Sequence, residues 1–418
     1  TGTIKGLADN QGTRQTNYVN ESVGAKGARD AQANSNFYAN IGVNAGFTRS
    51  QSSSGSHTEG AAVTTLKPMD ENSSITYNNV NNITYQGTQA QGGTFIYNNV
   101  ANIQKEAVEL HNSYTSSSSS RGINAGATIG YGHKLQTTGN GGSISVSRSN
   151  QNTVETVYAN GNFKNVNEVH NNTGSMVLNG FNQEGGKVTG NIGKVEVISR
   201  QNTSTTTGSS SGISLGISAN GVPSSVNING NRTNGDRAFV DNQSTFIVGE
   251  GSSLHVGTLE NTGAVVGKEG NSTFKIDSYI GKDIQNHDTM KTTGGSVGIS
   301  TGKPRITNVG FNQDSRDKQG ITRNTVIGDV EIGETSGSPI NRDITRANEV
   351  TKDTHSSTNI NVESQTIEYA TNPAKLKEDI GKAKDEIEAV GAVAKAAFNT
   401  IGSKEKNGFF DFLRTERV

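Results

Sequence analysis

Residues 75–83 read I-T-Y-N-N-V-N-N-I, and residues 95–103 read F-I-Y-N-N-V-A-N-I. The two stretches match at six of nine positions when residue 75 is aligned with residue 95. The same offset returns downstream, where Leu254 is followed by Phe274. A fixed period of this length is the signature of a solenoid, in which each repeat stacks on the previous one. The repeat therefore predicts an all-β fold, a parallel β-helix (β-solenoid) with coils of about 20 residues.

The composition of this 418-residue chain limits the kinds of fold it can adopt. Apolar residues make up 30% of the chain, against roughly 45–50% in ordinary globular domains, and there are 52 glycines. Such a composition is typical of disorder. A solenoid coil, however, needs only a few inward side chains, because its backbone pairs with neighbouring coils. Short alternating runs of apolar residues, such as Ile213, Leu215 and Ile217, favour the ordered solenoid.

Charge and cysteine content exclude several classes of function. The chain has 37 basic and 38 acidic residues, so its net charge of −1 indicates no nucleic-acid partner. It has no cysteine, which excludes disulfides and thiolate metal sites. No stretch reaches the roughly 18 apolar residues of a membrane helix. The chain opens at Thr1 without a signal peptide, so we expect it to be an interior piece of a longer protein.

Composition and repeat pattern divide the chain into four segments. Residues 1–34 are polar and are predicted to form irregular entry coils, whereas residues 35–300 carry the repeats of the β-helix. Residues 301–371 are predicted to be an irregular β transition region. An Asn-Pro pair opens residues 372–418, and it suits the start of a helix. We expect a short amphipathic α-helical segment there, which caps the last coil or links it onward.

A glycine-bracketed motif recurs with a longer period. Its four versions are Gly42–Gly46, Gly122–Gly126, Gly212–Gly216 and Gly295–Ile299. We interpret the interval between them as about four coils. Coils of about 20 residues over residues 35–300 would number about 13 and form a rod of about 60 Å. Runs such as Ser116–Ser120 accompany the motif. Their hydroxyl groups compete for backbone hydrogen bonds, so we expect them in loops that interrupt the strands.

Asparagines recur at matched places in the repeat, as Asn79 and Asn99 illustrate. Two interpretations stay open for them. Their amides would stack as ladders along the solenoid axis, or the residues would simply be good turn formers.

A search for catalytic, cofactor-binding and metal-binding residues yields none. Gly208–Gly212 satisfies the G-x-S-x-G pattern of a nucleophile elbow, but it lies in a Ser/Thr/Gly tract and no helix pattern follows it. The seven histidines never fall at metal-binding spacing, and we expect them to be solvated or stacked. They are His57, His111, His133, His170, His255, His287 and His355.

A β-helix enzyme that degrades polysaccharides, a lyase or a hydrolase, is the alternative function. Such enzymes need clustered carboxylates, often with Ca²⁺ or a basic residue, on adjacent coils. The candidate acids are scattered along the chain: Glu155, Glu168, Glu184, Glu196, Asp236 and Asp241. Two of them that lie one coil apart could still meet, so the alternative stays open.

Three stretches resemble the haemagglutinin-repeat region of very large bacterial exoproteins. They are AVVGKEGNSTFKIDSYIGKDIQNHDTMKTTGGSVG (264–298), GITRNTVIGDVEIGETSGSPINRDITRANEVTKD (320–353) and STNINVESQTIEYATNPAKLKED (357–379). These exoproteins are the filamentous-haemagglutinin-like and contact-dependent growth inhibition proteins of Gram-negative bacteria. The resemblance implies a right-handed β-helix, exported by two-partner secretion. It also implies a non-enzymatic virulence factor, either an adhesin filament at the bacterial cell surface or the stalk of a toxin-delivery protein.

The resemblance implies partners and no cofactor. The partners are an outer-membrane two-partner transporter, a receptor or glycan on a host or neighbouring cell, and a downstream toxin domain with its immunity protein. This sequence contains no stretch that resembles the amino-terminal secretion domain of the family. Val362-Glu363-Ser364 is no substitute for the Val-Glu-Asn-Asn junction that often precedes the toxin in the family. We therefore expect late repeats followed by a helical transition segment. Cell adhesion would come from the polar outward faces and the Ser/Thr loops, with no contact residue identified.

Overall fold

The computed structural model describes residues 18–31, 37–69, 72–131, 135–218, 222–301 and 305–363. These residues form strands joined by short turns, with one 3₁₀ turn at Ile344–Arg346, so the described fold is all-β. In chain order the strands are β1 Tyr18–Ala31, β2 Phe37–His57, β3 Thr65–Leu66, β4 Ser74–Asn78, β5 Asn82–Gln86, β6 Gln89–Gln91, β7 Thr94–Glu106, β8 Val108–Tyr131, β9 Leu135–Ala159, β10 Gly161–Lys164, β11 Asn167–Asn179, β12 Phe181–Glu184, β13 Val188–Ile198, β14 Asn202–Ser218, β15 Pro223–Phe239, β16 Thr245–Val248, β17 Ser253–Thr262, β18 Val265–Lys268, β19 Thr273–Lys282, β20 Ile284–Ser300, β21 Arg305–Thr322, β22 Thr325–Ile327, β23 Glu331–Gly337 and β24 Asn348–Glu363. The predicted helix over residues 372–418 lies outside the described residues.

Two parallel sheets are built from strands that alternate along the chain. The short-strand sheet has the order β22-β18-β16-β12-β10-β6-β3. The long-strand sheet has the order β23-β19-β17-β13-β11-β7-β4, with β5 also paired to β7. Tyr77 pairs in parallel with Tyr97, and Ile83 with Ile103, so the predicted stacking of these two repeats is confirmed. Each circuit of the chain thus adds one strand to each sheet.

The third sheet is antiparallel and consists of long hairpins. Its nine strands run in the order β1-β2-β8-β9-β14-β15-β20-β21-β24, and we call it the hairpin sheet. The hairpins β8–β9, β14–β15 and β20–β21 leave the parallel sheets and return to them on every second circuit. The strand β8 alone has 24 residues, a length of about 80 Å when extended.

These insertions explain the longer period. Along the long-strand sheet, Asn98 pairs with Asn171 at a sequence separation of 73, whereas the next pairing returns to a separation of 20. The repeated glycine motif lies in β2, β8, β14 and β20 of the hairpin sheet. The interval between its copies is therefore two circuits plus one hairpin, and the prediction of four coils is wrong.

The predicted number of coils is wrong for the same reason. The path of the long-strand sheet contains seven strands between Ser74 and Gly337, which span about 30 Å rather than about 60 Å. The residues assigned to further coils lie in the hairpins instead. Strand pairing also continues past residue 300, because β22 and β23 pair with β18 and β19.

The apolar core lies between the two parallel sheets. Side chains alternate along short stretches of each strand, as at Phe95 and Tyr97 in β7, and the left-handed bend at Asn99 interrupts the alternation before Val100 points inward again. Rings from successive circuits pack on one another, with centroids 5.3 Å apart for Phe95 and Phe163 and 5.2 Å apart for Phe163 and Phe181. About two inward residues from each short strand and four or five from strands such as β7 and β13 fill this space, which explains how a chain with 30% apolar residues has a core.

Both interpretations of the matched asparagines are correct. The Nδ2 of Asn99 donates to the Oδ1 of Asn79 at 3.1 Å, and Asn172 donates to Asn99 at 3.0 Å, so the amides form a ladder. The same three residues have positive φ angles of 53°, 52° and 67°, so each also makes a left-handed bend. Asparagine is suited to this place because it tolerates the left-handed region and carries an amide.

Candidate functional site

Serine-rich segments form strands in the hairpin sheet. Ser116–Ser120 lies in the middle of β8, where it pairs with β2 on one side and with β9 on the other. Hydroxyl groups bridge neighbouring strands, as between Ser118 and Ser149 at 2.8 Å. The prediction that this run forms a loop is wrong, because pairing on both edges satisfies the backbone and leaves the hydroxyl groups on the sheet surface.

One surface of the hairpin sheet, which we call the exposed face, carries a shallow groove of about 360 Å³. Two cross-strand rows line it. One row is Ser53, Ser117, Asn150 and Ser209, and the other is Gln51, Ser119, Arg148 and Ser211. Directly opposite residues in antiparallel strands point to the same side of a sheet, so both rows present their side chains together. The groove therefore offers hydroxyl and amide groups around the exposed guanidinium of Arg148.

Further arginines lie on the same face. Arg49 and Arg121 are direct cross-strand partners, two residues beyond the row of Gln51 and Ser119. Arg232 pairs with Ser209 at the far side of the groove. Four guanidinium groups thus lie in or beside the groove, and the other side chains that line the groove are uncharged and polar.

A row of exposed apolar side chains borders the groove toward the hairpin tips. Ile123 pairs with Phe47 on one side and with Ile144 on the other, and their exposed fractions are 56%, 43% and 37%. Val146 and Ile213 are direct partners one step closer to the groove and are 46% and 44% exposed. We call these five residues the apolar row. The recurring glycine motif therefore contributes to an apolar surface through Ile123 and Ile213. Contiguous exposed apolar side chains on a soluble protein mark interaction surfaces.

A second polar group of residues is buried between the parallel sheets. Lys105 is fully buried, and its Nζ lies 2.6 Å from the Oε1 of Glu168 and 2.5 Å from the Oε1 of Gln183. The Nε2 of Gln183 donates to the Oε2 of Glu168 at 2.7 Å. The hydroxyl of Tyr97 donates to Glu168 at 3.2 Å, and the ring of His170 stacks on the ring of Tyr97. We call Lys105, Glu168, His170 and Gln183 the buried polar cluster.

The electrostatics of the buried polar cluster follow from its burial. Burial by itself raises the pKa of Glu168, but the Lys105 ammonium and the hydrogen bond with His170 outweigh it and hold this pKa well below its usual range. Burial lowers the pKa of Lys105, and Glu168 opposes that change only in part. Burial also lowers the pKa of His170, which keeps its ring neutral at neutral pH.

The sequence contained a weak signal for this cluster. Glu168 pairs in register with Phe95 of the preceding circuit and with Val188 of the following one, so it occupies a core column. That placement is visible only when the sequence separation of 73 residues across the β8–β9 hairpin is known.

The six acidic residues considered for a polysaccharide-degrading enzyme lie in different parts of the structure. Glu168 is in the core, Glu196 pairs with Lys194 at the outer surface of the long-strand sheet, and Asp236 contacts His287 on the hairpin sheet. Glu155 lies in β9, Glu184 accepts a hydrogen bond from Thr245, and Asp241 pairs with Arg237. Among the described residues, no group of three or more His, Asp or Glu side chains could hold a metal ion.

The histidines and the serine motif also have defined places. His170 is buried and stacked, whereas the side chains of His255, His287 and His355 are 45%, 44% and 65% exposed and lie beside carboxylates. His57 and His111 contact Glu59 and Glu109, and His133 lies outside the described residues. Gly208–Gly212 is extended inside β14 and paired on both sides, which differs from the sharp turn of a nucleophile elbow.

One comparison with known proteins finds a match to part of the chain. Residues 45–213 match the family model described as hemagglutinin repeat, which is less than half of the chain. The match begins within β2 and ends within β14, so it covers the groove and the apolar row. This region is filamentous-haemagglutinin-like, and the family is one of structural adhesins rather than enzymes.

The other comparisons give no relative. No curated protein and no solved structure matches the chain. The stretches quoted above for the resemblance, residues 264–298, 320–353 and 357–379, lie outside the matched residues. Within the part of the chain that the structure describes, no helix has the length and apolar content to cross a membrane.

Proposed function

We propose that this chain is an adhesive rod at the bacterial surface, with the exposed face of the hairpin sheet as its binding surface. The observation that carries the proposal is the groove around Arg148, which lies within the region that matches the hemagglutinin repeat. An adhesin needs a wide contact surface, and the adjoining apolar row gives this face a kind of surface that soluble proteins rarely expose.

In this proposal the parallel sheets are the shaft of a right-handed β-helix. Strands from successive circuits stack in register, and the side chains inside form continuous columns such as Tyr77, Tyr97 and His170. The hairpins project the exposed face away from the shaft. The shaft would extend the adhesive surface from the cell, and export would follow the two-partner route, either for a filament or for the stalk of a toxin-delivery protein.

The chemistry of the groove favours an acidic glycan as the ligand. Arginine presents a planar fork of N–H donors that matches carboxylate and sulfate groups. Serine and asparagine side chains can exchange hydrogen bonds with sugar hydroxyl groups. Serine side chains and Asn150 line the groove beside Arg148. Arg121 and Arg232 extend the positive surface on either side.

Binding of the full chain to immobilised heparin, with neutral dextran as the reference, tests the proposal. Arg148→Ala should weaken binding about tenfold, because it removes a charge-assisted hydrogen bond donor. Arg316→Ala is the matched control, since Arg316 pairs with Met290 on the opposite side of the sheet and should leave binding unchanged. Equal binding to heparin and dextran, or equal losses in both variants, would contradict the proposal.

A further inference from the structure

The buried polar cluster holds an amine, an amide and a carboxylate within hydrogen-bond distance of one another. Lys105 belongs to the long-strand sheet and Gln183 to the short-strand sheet, and they face each other across the core. The Nζ of Lys105 is 2.5 Å from the Oε1 of Gln183, so it is no more than about 3.7 Å from the carbonyl carbon, one bond further on. Reacting atoms in a near-attack geometry are about 3–3.5 Å apart, so the amine has only a short distance to move.

Glu168 contacts both reacting groups, one with each oxygen. Its Oε1 lies 2.6 Å from the Lys105 Nζ, and its Oε2 lies 2.7 Å from the Gln183 Nε2. A carboxylate in this position can take a proton from the amine and give it to the leaving nitrogen.

We propose that Lys105 and Gln183 become joined by an intramolecular isopeptide bond, formed with Glu168 as the proton carrier. The bond would be a modification that the chain makes on itself. It is independent of the adhesive function, because none of the three residues lies in the hairpin sheet.

The reaction balances without any added reagent. Glu168 accepts a proton from the Lys105 ammonium, and the neutral amine attacks the Gln183 carbonyl carbon. The tetrahedral intermediate collapses when Glu168 returns a proton to the amide nitrogen, and the bond between that nitrogen and the carbon breaks. A new C–N bond joins the two side chains, and ammonia leaves. The second proton from Nζ ends on the Glu168 carboxylate or passes to solvent, so the charges balance. No group is oxidised or reduced.

The surroundings favour this chemistry over competing reactions. Lys105 and Glu168 are fully buried and Gln183 is 1% exposed, so water that would hydrolyse an activated amide is excluded. The Phe163 ring lies 4.9 Å from the Lys105 Nζ and closes the site on one side. Burial lowers the pKa of Lys105, which increases the share of the neutral amine.

The proposed bond would tie the two parallel sheets together. It would close a loop of 78 residues that contains the whole β8–β9 hairpin, with its part of the groove. A covalent tie at the base of this hairpin would keep the shaft from opening there when the adhesive surface is pulled.

Intact-mass spectrometry of the full chain tests the proposal. The expected mass is lower than that of the sequence by one ammonia, about 17 Da. Succinimide formation at an Asn-Gly pair such as Asn179-Gly180 causes the same loss, so the site must be mapped. Trypsin would spare the acylated Lys105, and the linked species should join residues 50–121 to residues 165–187.

Variants test the role of each group. Lys105→Met and Glu168→Gln should abolish the linked peptide, whereas Lys194→Met should retain it, because Lys194 pairs with Glu196 and Glu260 at the outer surface. An unmodified mass of the natural chain would overturn the proposal even if a variant fails to fold. A loss of water that maps to Lys105 and Glu168, or an ammonia loss that maps elsewhere, would overturn it as well. Persistence of the link in Glu168→Gln would overturn the assigned role of Glu168.

Discussion

The amide nitrogen of Asn171 donates a hydrogen bond of 2.8 Å to the amide oxygen of Asn98, at a sequence separation of 73. Asn98 in turn donates to Asn78, at a separation of 20, over 2.7 Å. The ladder therefore continues across the insertion of a complete hairpin without a change of register. The parallel sheets and the hairpin sheet are built by separate parts of each repeat, and this separation leads to the predictions below.

Removal of the β8–β9 hairpin should leave the parallel sheets folded. Val108 and Ala159 are antiparallel partners at its base, so an Asn-Gly turn can replace residues 109–158. We expect a cooperative thermal transition with a strand spectrum in far-ultraviolet circular dichroism, because the core side chains lie outside the deleted segment. A shortened chain without any transition would show that the parallel sheets depend on the hairpin.

Asn99 should contribute through both its backbone and its side chain. Asn99→Ala should lower the free energy of unfolding by about 2–3 kcal/mol, because alanine resists a positive φ and the amide ladder is lost. Asn99→Gly should cost only about 1 kcal/mol, since glycine accepts the bend. Asn98→Ala, which removes a ladder amide outside the positive-φ position, is the matched control and should also cost about 1 kcal/mol. Urea denaturation measures all three variants, and equal losses for Asn99→Ala and Asn99→Gly would exclude a backbone contribution.

Relative to a chain without the Lys105–Gln183 bond, Lys105→Met should destabilise the protein by about 3–5 kcal/mol, because it leaves the Glu168 carboxylate buried without its cation. Lys105→Met combined with Glu168→Leu should recover part of this loss, since the unpaired charge is removed. Urea denaturation compares the two variants, and a double variant less stable than Lys105→Met alone would contradict this account of the cluster.

The pH dependence of Lys105→Met should have the opposite sign to that of the unlinked natural pair. With Lys105 present, the pKa of Glu168 is depressed, so its contribution to stability is present above the ordinary carboxyl pKa of about 4.5 and is lost as the pH falls. Without Lys105, burial raises the pKa of Glu168, so the variant should be most stable below about pH 4.5 and lose stability as the pH rises. His170, the other titratable neighbour, adds a cost at low pH in both chains when it must charge. Thermal melts between about pH 2 and pH 8 measure the two slopes, and identical slopes would contradict the assignment.

Apolar residues in the core and on the exposed face should respond differently to truncation. Phe163→Ala should cost about 3–5 kcal/mol, because Phe163 is fully buried between Phe95 and Phe181. Ile123→Ala should change stability by no more than about 0.5 kcal/mol, because Ile123 is 56% exposed. A large loss for Ile123→Ala in chemical denaturation would mean that the apolar row is part of a core and not a contact surface.

The sequence allowed the all-β class and the stacking of the short repeats to be predicted because Tyr77 and Tyr97 lie in consecutive circuits without an insertion. It did not allow the hairpins to be predicted, because their strands combine long Ser/Thr/Asn/Gly runs with short apolar alternations, such as Ile213, Leu215 and Ile217, that also fit a solenoid coil. The run Ser116–Ser120 has turn-forming chemistry, and only pairing on both edges makes it a strand. The groove around Arg148 and the cluster around Glu168 were missed because both depend on the hairpin offsets.

A disulfide test of register addresses the central claim, that the parallel shaft continues through each inserted hairpin. The chain has no cysteine, so two cysteines can be introduced without competing thiols. Asn98→Cys with Asn171→Cys should form a disulfide on mild oxidation, because direct partners in adjacent strands lie within the usual Cα separation of about 4.4–6.8 Å. Asn98→Cys with Ser175→Cys, four residues along the same strand, should remain reduced, because its cysteines would be more than about 7 Å apart. Equal oxidation of the two variants, or a free Asn98→Cys and Asn171→Cys pair, would contradict the architecture.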